Sequence, residues 1–60
     1  MNPTLERAFA LAKSGDHPNW TLIEAELTLE GYADAKEQLS GGGIRAQLDR
    51  MCEQAVRSNA

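Results

Sequence analysis

The sequence predicts a small all-α domain of three helices, with or without a short extra helical turn between the second and the third. Two observations support this prediction. Apolar residues recur at helical spacing in separate stretches, each beginning or ending near a residue that caps helices. No stretch alternates apolar and polar residues with the period of two that marks a strand. We expect one domain over residues 1–60, with helices at about 3–14, 20–30 and 43–57; residues 33–39 are ambiguous.

The first predicted helix begins at Pro3 and ends at Ser14. Asn2 is a favoured N-cap, and Pro3 fits the first helical position because its missing N–H would have no intrahelical partner there. Gly15 suits the left-handed conformation that ends many helices. The apolar residues follow i, i+3, i+4, i+7 spacing: Leu5, Ala8, Phe9 and Ala12.

The second predicted helix follows a loop that contains Pro18. Asn19 or Thr21 serves as its N-cap, and Thr21 stands three residues before Glu24, which is the capping-box spacing. Gly31 provides the stop, and Tyr32 is placed to pack back over the last turn.

This second helix has two apolar stripes. One contains Trp20, Ile23 and Leu27, the other contains Leu22 and Leu29, and Glu26 projects between them. One interpretation is a central helix that contacts both neighbours. The other is that one stripe meets the core while the second meets another copy or a partner protein. The candidate partner surface then comprises Leu11, Leu22, Leu29 and Glu26.

Glu26 and Glu30 stand one turn apart, and like charges at this spacing repel. We expect Arg7 or Arg45 to neutralise them. A pair of catalytic carboxylates is the alternative, but it needs a pocket that a domain of this size rarely encloses.

The third predicted helix follows a candidate N-cap, Ser40. Its apolar stripe contains Ile44, Leu48, Met51, Cys52 and Ala55. Two pairs of opposite charges at i, i+4 spacing are expected on its exposed side, Arg45 with Asp49 and Glu53 with Arg57.

Three consecutive glycines, Gly41, Gly42 and Gly43, open this helix. They are interpreted as a flexible joint, as a point of close packing, or as an anion site in which Ser40 and Arg45 assist bare N–H groups. The sequence lacks the Gly-Lys-Ser/Thr of a phosphate-binding loop, and no predicted strand precedes the glycines. The joint is therefore the favoured interpretation.

Composition excludes several classes of function. The net charge of −3 disfavours non-specific binding to nucleic acid or membrane. Cys52 is the only cysteine and His17 the only histidine, which excludes an internal disulfide and disfavours a zinc site. We interpret Cys52 as a small buried hydrophobe and His17 as a solvated loop residue. The N-terminal sequence lacks a signal-peptide pattern, and we expect a cytoplasmic protein that needs no metal or cofactor.

The expected function is that of a small, non-enzymatic protein-interaction module that can associate with itself. No nucleophile–base pair, metal cluster or cofactor loop is recognisable, so no catalytic residues are assigned. The alternative is a DNA-binding protein that resembles helix-turn-helix domains in outline. Its candidate nucleic-acid contacts are Arg45, Gln47, Arg50 and Arg57, although the acidic balance disfavours this role.

The stripes also predict the core of the domain. The expected core residues are Leu5, Phe9, Ala12, Trp20, Ile23, Leu27, Leu39, Ile44, Leu48, Met51 and Cys52.

Overall fold

The computed structural model describes residues 2–58, and this part of the chain folds into four helices. Helix α1 spans Pro3–Ser14, α2 spans Trp20–Leu29, α3 spans Ala35–Gln38 and α4 spans Gly42–Ser58. No strand forms between residues 2 and 58. The all-α prediction is confirmed, with α3 as the short extra turn between the main helices.

Both ends of α1 form as the sequence predicts. The side-chain oxygen of Asn2 accepts hydrogen bonds from the backbone N–H groups of Thr4 and Leu5, at 2.8 Å and 3.2 Å. These bonds satisfy two of the donors that a helix leaves unpaired at its start. Gly15 ends the helix with φ of 82°, a left-handed conformation that favours glycine.

Helix α2 is capped at its start by Asn19 and not by the Thr21–Glu24 box. The Asn19 side chain accepts from the Leu22 N–H at 3.1 Å, which places Thr21 already inside the helix. At the other end Gly31 has φ of 94°. Its N–H donates to the carbonyl of Thr28, and the Tyr32 N–H donates to the carbonyl of Leu27. This pair of bonds is the Schellman motif, and it brings Tyr32 back against the core.

The start of α4 differs from the prediction, because Ser40 does not cap it. The Ser40 hydroxyl instead donates to the carbonyl of Glu37 at 2.8 Å, which closes the end of α3. The carbonyl of Gly41 accepts the Arg45 N–H at 3.1 Å, so the helix begins at Gly42. The sequence does not distinguish these two roles, because a serine can cap the following helix or donate a hydrogen bond to a preceding carbonyl.

The close-packing interpretation of the three glycines is wrong. A Cβ added at Gly42 or Gly43 would have nothing within 4 Å, and one added at Gly41 would make an ordinary contact of 3.7 Å with Ile44. None of the three has positive φ, since Gly15 and Gly31 are the only such residues in the part of the chain that the structure describes. The backbone at these positions therefore does not require glycine.

The core lies where α1 packs against α4 and α2, and α3 closes one end against α1 and α2. Six of the expected core residues are buried, whereas Leu5, Phe9, Trp20, Ile44 and Met51 are only half-buried and pack around them. Leu11 was expected on a partner surface, but it is only 6% exposed and belongs to the core. The buried apolar residues are Ala8, Leu11, Ala12, Ile23, Leu27, Ala35, Leu39, Leu48 and Cys52.

Candidate interaction surface

The outward face of α2 leaves large apolar side chains in solvent. Leu22 is 46% exposed and Leu29 is 83% exposed, whereas Ile23 and Leu27 on the opposite face are fully buried. The two exposed leucines stand seven residues apart, or about two helical turns, so they share one side of α2. We call this side, with the exposed Ala25 between the leucines, the α2 outer stripe.

Glu26 and Glu30 line one edge of the α2 outer stripe, where a single cation compensates them. Arg7 of α1 binds Glu30 through two bonds, from Nε to Oε1 at 2.7 Å and from Nη2 to Oε2 at 2.8 Å. The hydrogen bond to Arg7 is the main cause that lowers the pKa of the Glu30 carboxyl below its usual value. Glu26 is half-buried and makes no ion pair among residues 2–58, although it lies in the electrostatic field of Arg7. Of the two carboxylates that Arg7 is expected to neutralise, it therefore forms an ion pair with Glu30.

Arg45 and Asp49 of α4 bind the start of α2 and do not form the predicted pair with each other. The Arg45 guanidinium lies over the Trp20 ring, 4.1 Å from its centroid, and its Nε donates to the carbonyl of Leu39 at 2.7 Å. Asp49 Oδ1 accepts the Trp20 backbone N–H at 2.8 Å. A carboxylate from another helix therefore supplies a second cap for α2, at the end where the helix dipole is positive. The first turn of α2 has no acidic residue of its own that could do so.

The candidate nucleic-acid contacts do not act together. Arg45 is turned inward onto Trp20, and Arg57 forms an ion pair with Glu53 on the exposed side of α4, as predicted. Gln47 and Arg50 are exposed and make no ion pair in the described chain. Two of the three arginines in the set are thus already bound to groups within the molecule.

Open grooves run along α4. One, about 530 Å³, lies between the start of α2 and the end of α4 and includes the exposed Val56. A second, about 460 Å³, lies between α1 and α4 and has Phe9 and Met51 in its wall. A third, about 270 Å³, continues from Lys13 and Met51 toward Ser58. Neither Glu26 nor Glu30 lines any of these grooves.

His17 and Cys52 have different environments. Cys52 is fully buried, as expected, and burial raises the pKa of its thiol, with a further contribution from the charge of Asp49. His17 is half-buried and not fully solvated, and its Nδ1 is a buried atom without a hydrogen-bond partner. Sequence alone indicates the polar loop around His17 but not that Nδ1 of the ring is buried.

Between residues 2 and 58, no three metal-ligating side chains come together. The helices of this part of the chain are also too short or too polar to cross a membrane.

Two side-chain bonds between distant segments escape sequence analysis. Asp49 accepts from Trp20 across 29 positions of sequence, and the Thr4 hydroxyl donates to Asp34 across 30 positions. The second bond ties the start of α1 to the residue before α3 and satisfies the hydroxyl of the buried Thr4. The sequence indicates only that threonine and aspartate are residue types that favour helix starts, and not that Thr4 and Asp34 bond to each other.

Comparison with known proteins adds no family to this geometry. No protein-family model matches the chain, and no curated protein and no solved structure is significantly similar to it.

Proposed function

We propose that the chain is a small helical protein-interaction module that docks through the α2 outer stripe, on another protein or on a second copy of itself. One observation carries the proposal: α2 is apolar on two sides, and only one is covered. Ile23 and Leu27 are fully buried, whereas Leu22 and Leu29 remain 46% and 83% exposed.

Docking would recover free energy that folding leaves unused. Fully burying a leucine side chain is worth about 1.5–3 kcal/mol relative to exposure, and Leu29 still offers most of its surface. Single exposed apolar residues are common on proteins. Two leucines one heptad apart on the same helix are instead the spacing by which a helix face contacts another helix.

The helix-turn-helix alternative receives no support from the geometry. Helix α3 is four residues long, too short to serve as a recognition helix, and its buried Ala35 faces the core. On α4, Arg45 is held by Trp20 and Leu39, and Arg57 by Glu53. DNA binding needs positive surface, and the chain already has a net charge of −3. The internal bonds of these two arginines reduce the available positive charge further.

The proposal includes a compartment and a mode of action. We assign the module to the cytoplasm, because a lone thiol persists in a reducing compartment. We expect it to act by binding, without catalysis and without a cofactor.

The test replaces both leucines of the α2 outer stripe by glutamine, which keeps helix propensity high while removing the apolar surface. The matched control is Val56→Gln, at the third large apolar side chain that the described chain leaves exposed, 39% of it, on α4. Sedimentation over a range of concentrations measures self-association. Capture from a lysate of the cells of origin, with the tagged chain as bait, measures binding to other proteins.

Wild-type chain and the Val56→Gln variant should associate or capture alike, and the Leu22→Gln/Leu29→Gln variant should lose what they bind. The proposal fails if the double variant behaves as the wild type does. It also fails if the wild-type chain stays monomeric and captures nothing.

A further inference from the structure

We infer that the α2 outer stripe takes a cationic amphipathic helix of another protein rather than a second copy of this chain. The inference rests on the proposed function and names the chemistry of the partner. The charge beside the exposed leucines carries it.

The charge along one edge of the stripe is only partly compensated, because Arg7 binds Glu30 and acts on Glu26 only through its electrostatic field. Arg7 gives both of its bonds to Glu30, which leaves one guanidinium for two carboxylates. Glu26, nearer the leucines on the helical wheel, has no ion pair in the described chain. Helix α2 itself contains no lysine or arginine.

The end of α2 adds to this negative potential. Leu29 is the last residue of the helix, where the dipole is negative, and the last turn carries no basic residue. A cation from outside that sits beside Leu29 and Glu26 would meet the dipole and a carboxylate together. The same position is unfavourable for an anion.

A second copy fits this surface poorly. A symmetric pair that sets Leu22 against Leu29 of the other copy has its two-fold axis between residues 25 and 26, so it brings the two Glu26 carboxylates near each other.

The edges of the stripe define the partner further. The edge opposite Glu26 is formed by two uncharged, exposed residues, Thr21 and Thr28. A matching helix therefore carries two apolar anchors one heptad apart and lysine or arginine along one edge only. Such a helix supplies the missing cation while its anchors cover the leucines.

The experiment uses three synthetic helical peptides of about 15 residues, long enough to hold some helix in isolation. The first has leucines one heptad apart and lysines along one edge. The second has the same composition in scrambled order, and the third replaces the lysines by glutamates. Binding to the wild-type chain is followed by shifts of the backbone amide resonances and by titration at low and high salt.

The lysine peptide should shift the resonances of α2 around Leu22 and Leu29, and a high salt concentration should weaken its binding. The scrambled and glutamate peptides should bind more weakly. Glu26→Gln should weaken the affinity for the lysine peptide by about twofold to fivefold, the range of a partly exposed ion pair. Glu26→Lys should reverse the preference, so that the glutamate peptide binds more tightly than the lysine peptide. Glu37→Gln, at an exposed glutamate of α3, is the control and should not change the binding of either peptide.

The inference is overturned if the scrambled peptide binds as well as the ordered one, because that is unspecific attraction to an acidic protein. It is also overturned if the glutamate peptide binds equally, if Glu26→Lys leaves the preference unchanged, or if the wild-type chain forms a stable dimer through the stripe. The last three results would leave the interaction module intact with a different partner. A wild-type chain that stays monomeric and captures nothing in the Leu22/Leu29 experiment would instead remove the proposed function itself.

Discussion

Exposure, and not residue type, separates the leucines of this chain. Leu11, a residue of the predicted partner surface, is 6% exposed, whereas Leu29 is 83% exposed. The buried side of α1 is formed by Thr4, Ala8, Leu11 and Ala12, and the half-buried Leu5 and Phe9 pack at its edge. Small alanines at the contact let α1 lie close to its neighbours.

This difference between leucines can be measured directly. Leu11→Ala should lower the free energy of unfolding by about 2–5 kcal/mol, because it leaves a cavity in the core. Leu29→Ala should change it by less than about 0.5 kcal/mol. Urea denaturation followed by circular dichroism gives both values. If Leu11→Ala left the free energy of unfolding nearly unchanged, the assignment of Leu11 to the core would be wrong.

At the scale of elements, the helix ends explain why the bounds of α1 and α2 could be predicted so closely. Asn2, Asn19 and Gly31 act within a few residues of their own position, and local chemistry of this kind is readable from sequence. The role of Ser40 is not predictable in this way, because a serine can cap the following helix or donate to a preceding carbonyl. The role of Asp49 is not predictable either, because its partner, Trp20, lies on another helix. Which face of a helix is covered depends in the same way on the direction of its neighbours, and that is a tertiary property.

The glycines at the start of α4 weaken the helix that they open. Gly42 is helical, its φ is not positive, and a Cβ there would meet nothing within 4 Å. Gly42→Ala should therefore stabilise the fold by about 0.4–1 kcal/mol, chiefly by restricting the unfolded chain. Gly31→Ala is the control with the opposite sign, since φ of 94° strains any residue that has a Cβ. Thermal unfolding of the two variants would refute the joint interpretation if Gly42→Ala lowered the melting temperature.

The bond from Asp49 to Trp20 couples the order of α2 to the packing of α4. Removing the carboxylate by Asp49→Ala leaves the Trp20 N–H without its partner, and we expect a loss of about 0.5–2 kcal/mol, the range for a lost N-cap. Asp49→Asn should lose less, because the amide keeps an oxygen that can accept. Chemical denaturation followed by Trp20 fluorescence measures both changes. Equal stability of wild type and Asp49→Ala would show that solvent replaces the bond at no cost.

At the scale of the whole molecule, the core is small and shared by every helix. The radius of gyration is 10.5 Å, close to the value of about 10 Å for a compact chain of this length. A chain of about 60 residues buries only about 60% of the surface that its unfolded form exposes. Each of the four helices contributes to one buried cluster or borders it, so the loss of one contact is felt throughout.

Cys52 reports on this cooperativity, because its thiol is fully buried in the shared cluster. Burial also raises its pKa, so the reactive thiolate is scarce in the folded chain. We expect a thiol reagent to label Cys52 only through opening of the core, at a rate that follows the population of the unfolded chain. Leu27→Ala, if it costs about 2 kcal/mol, should then speed labelling about thirtyfold, whereas Leu29→Ala should leave the rate unchanged. Equal rates in both variants would mean that α4 opens locally and that the helices do not unfold as one unit.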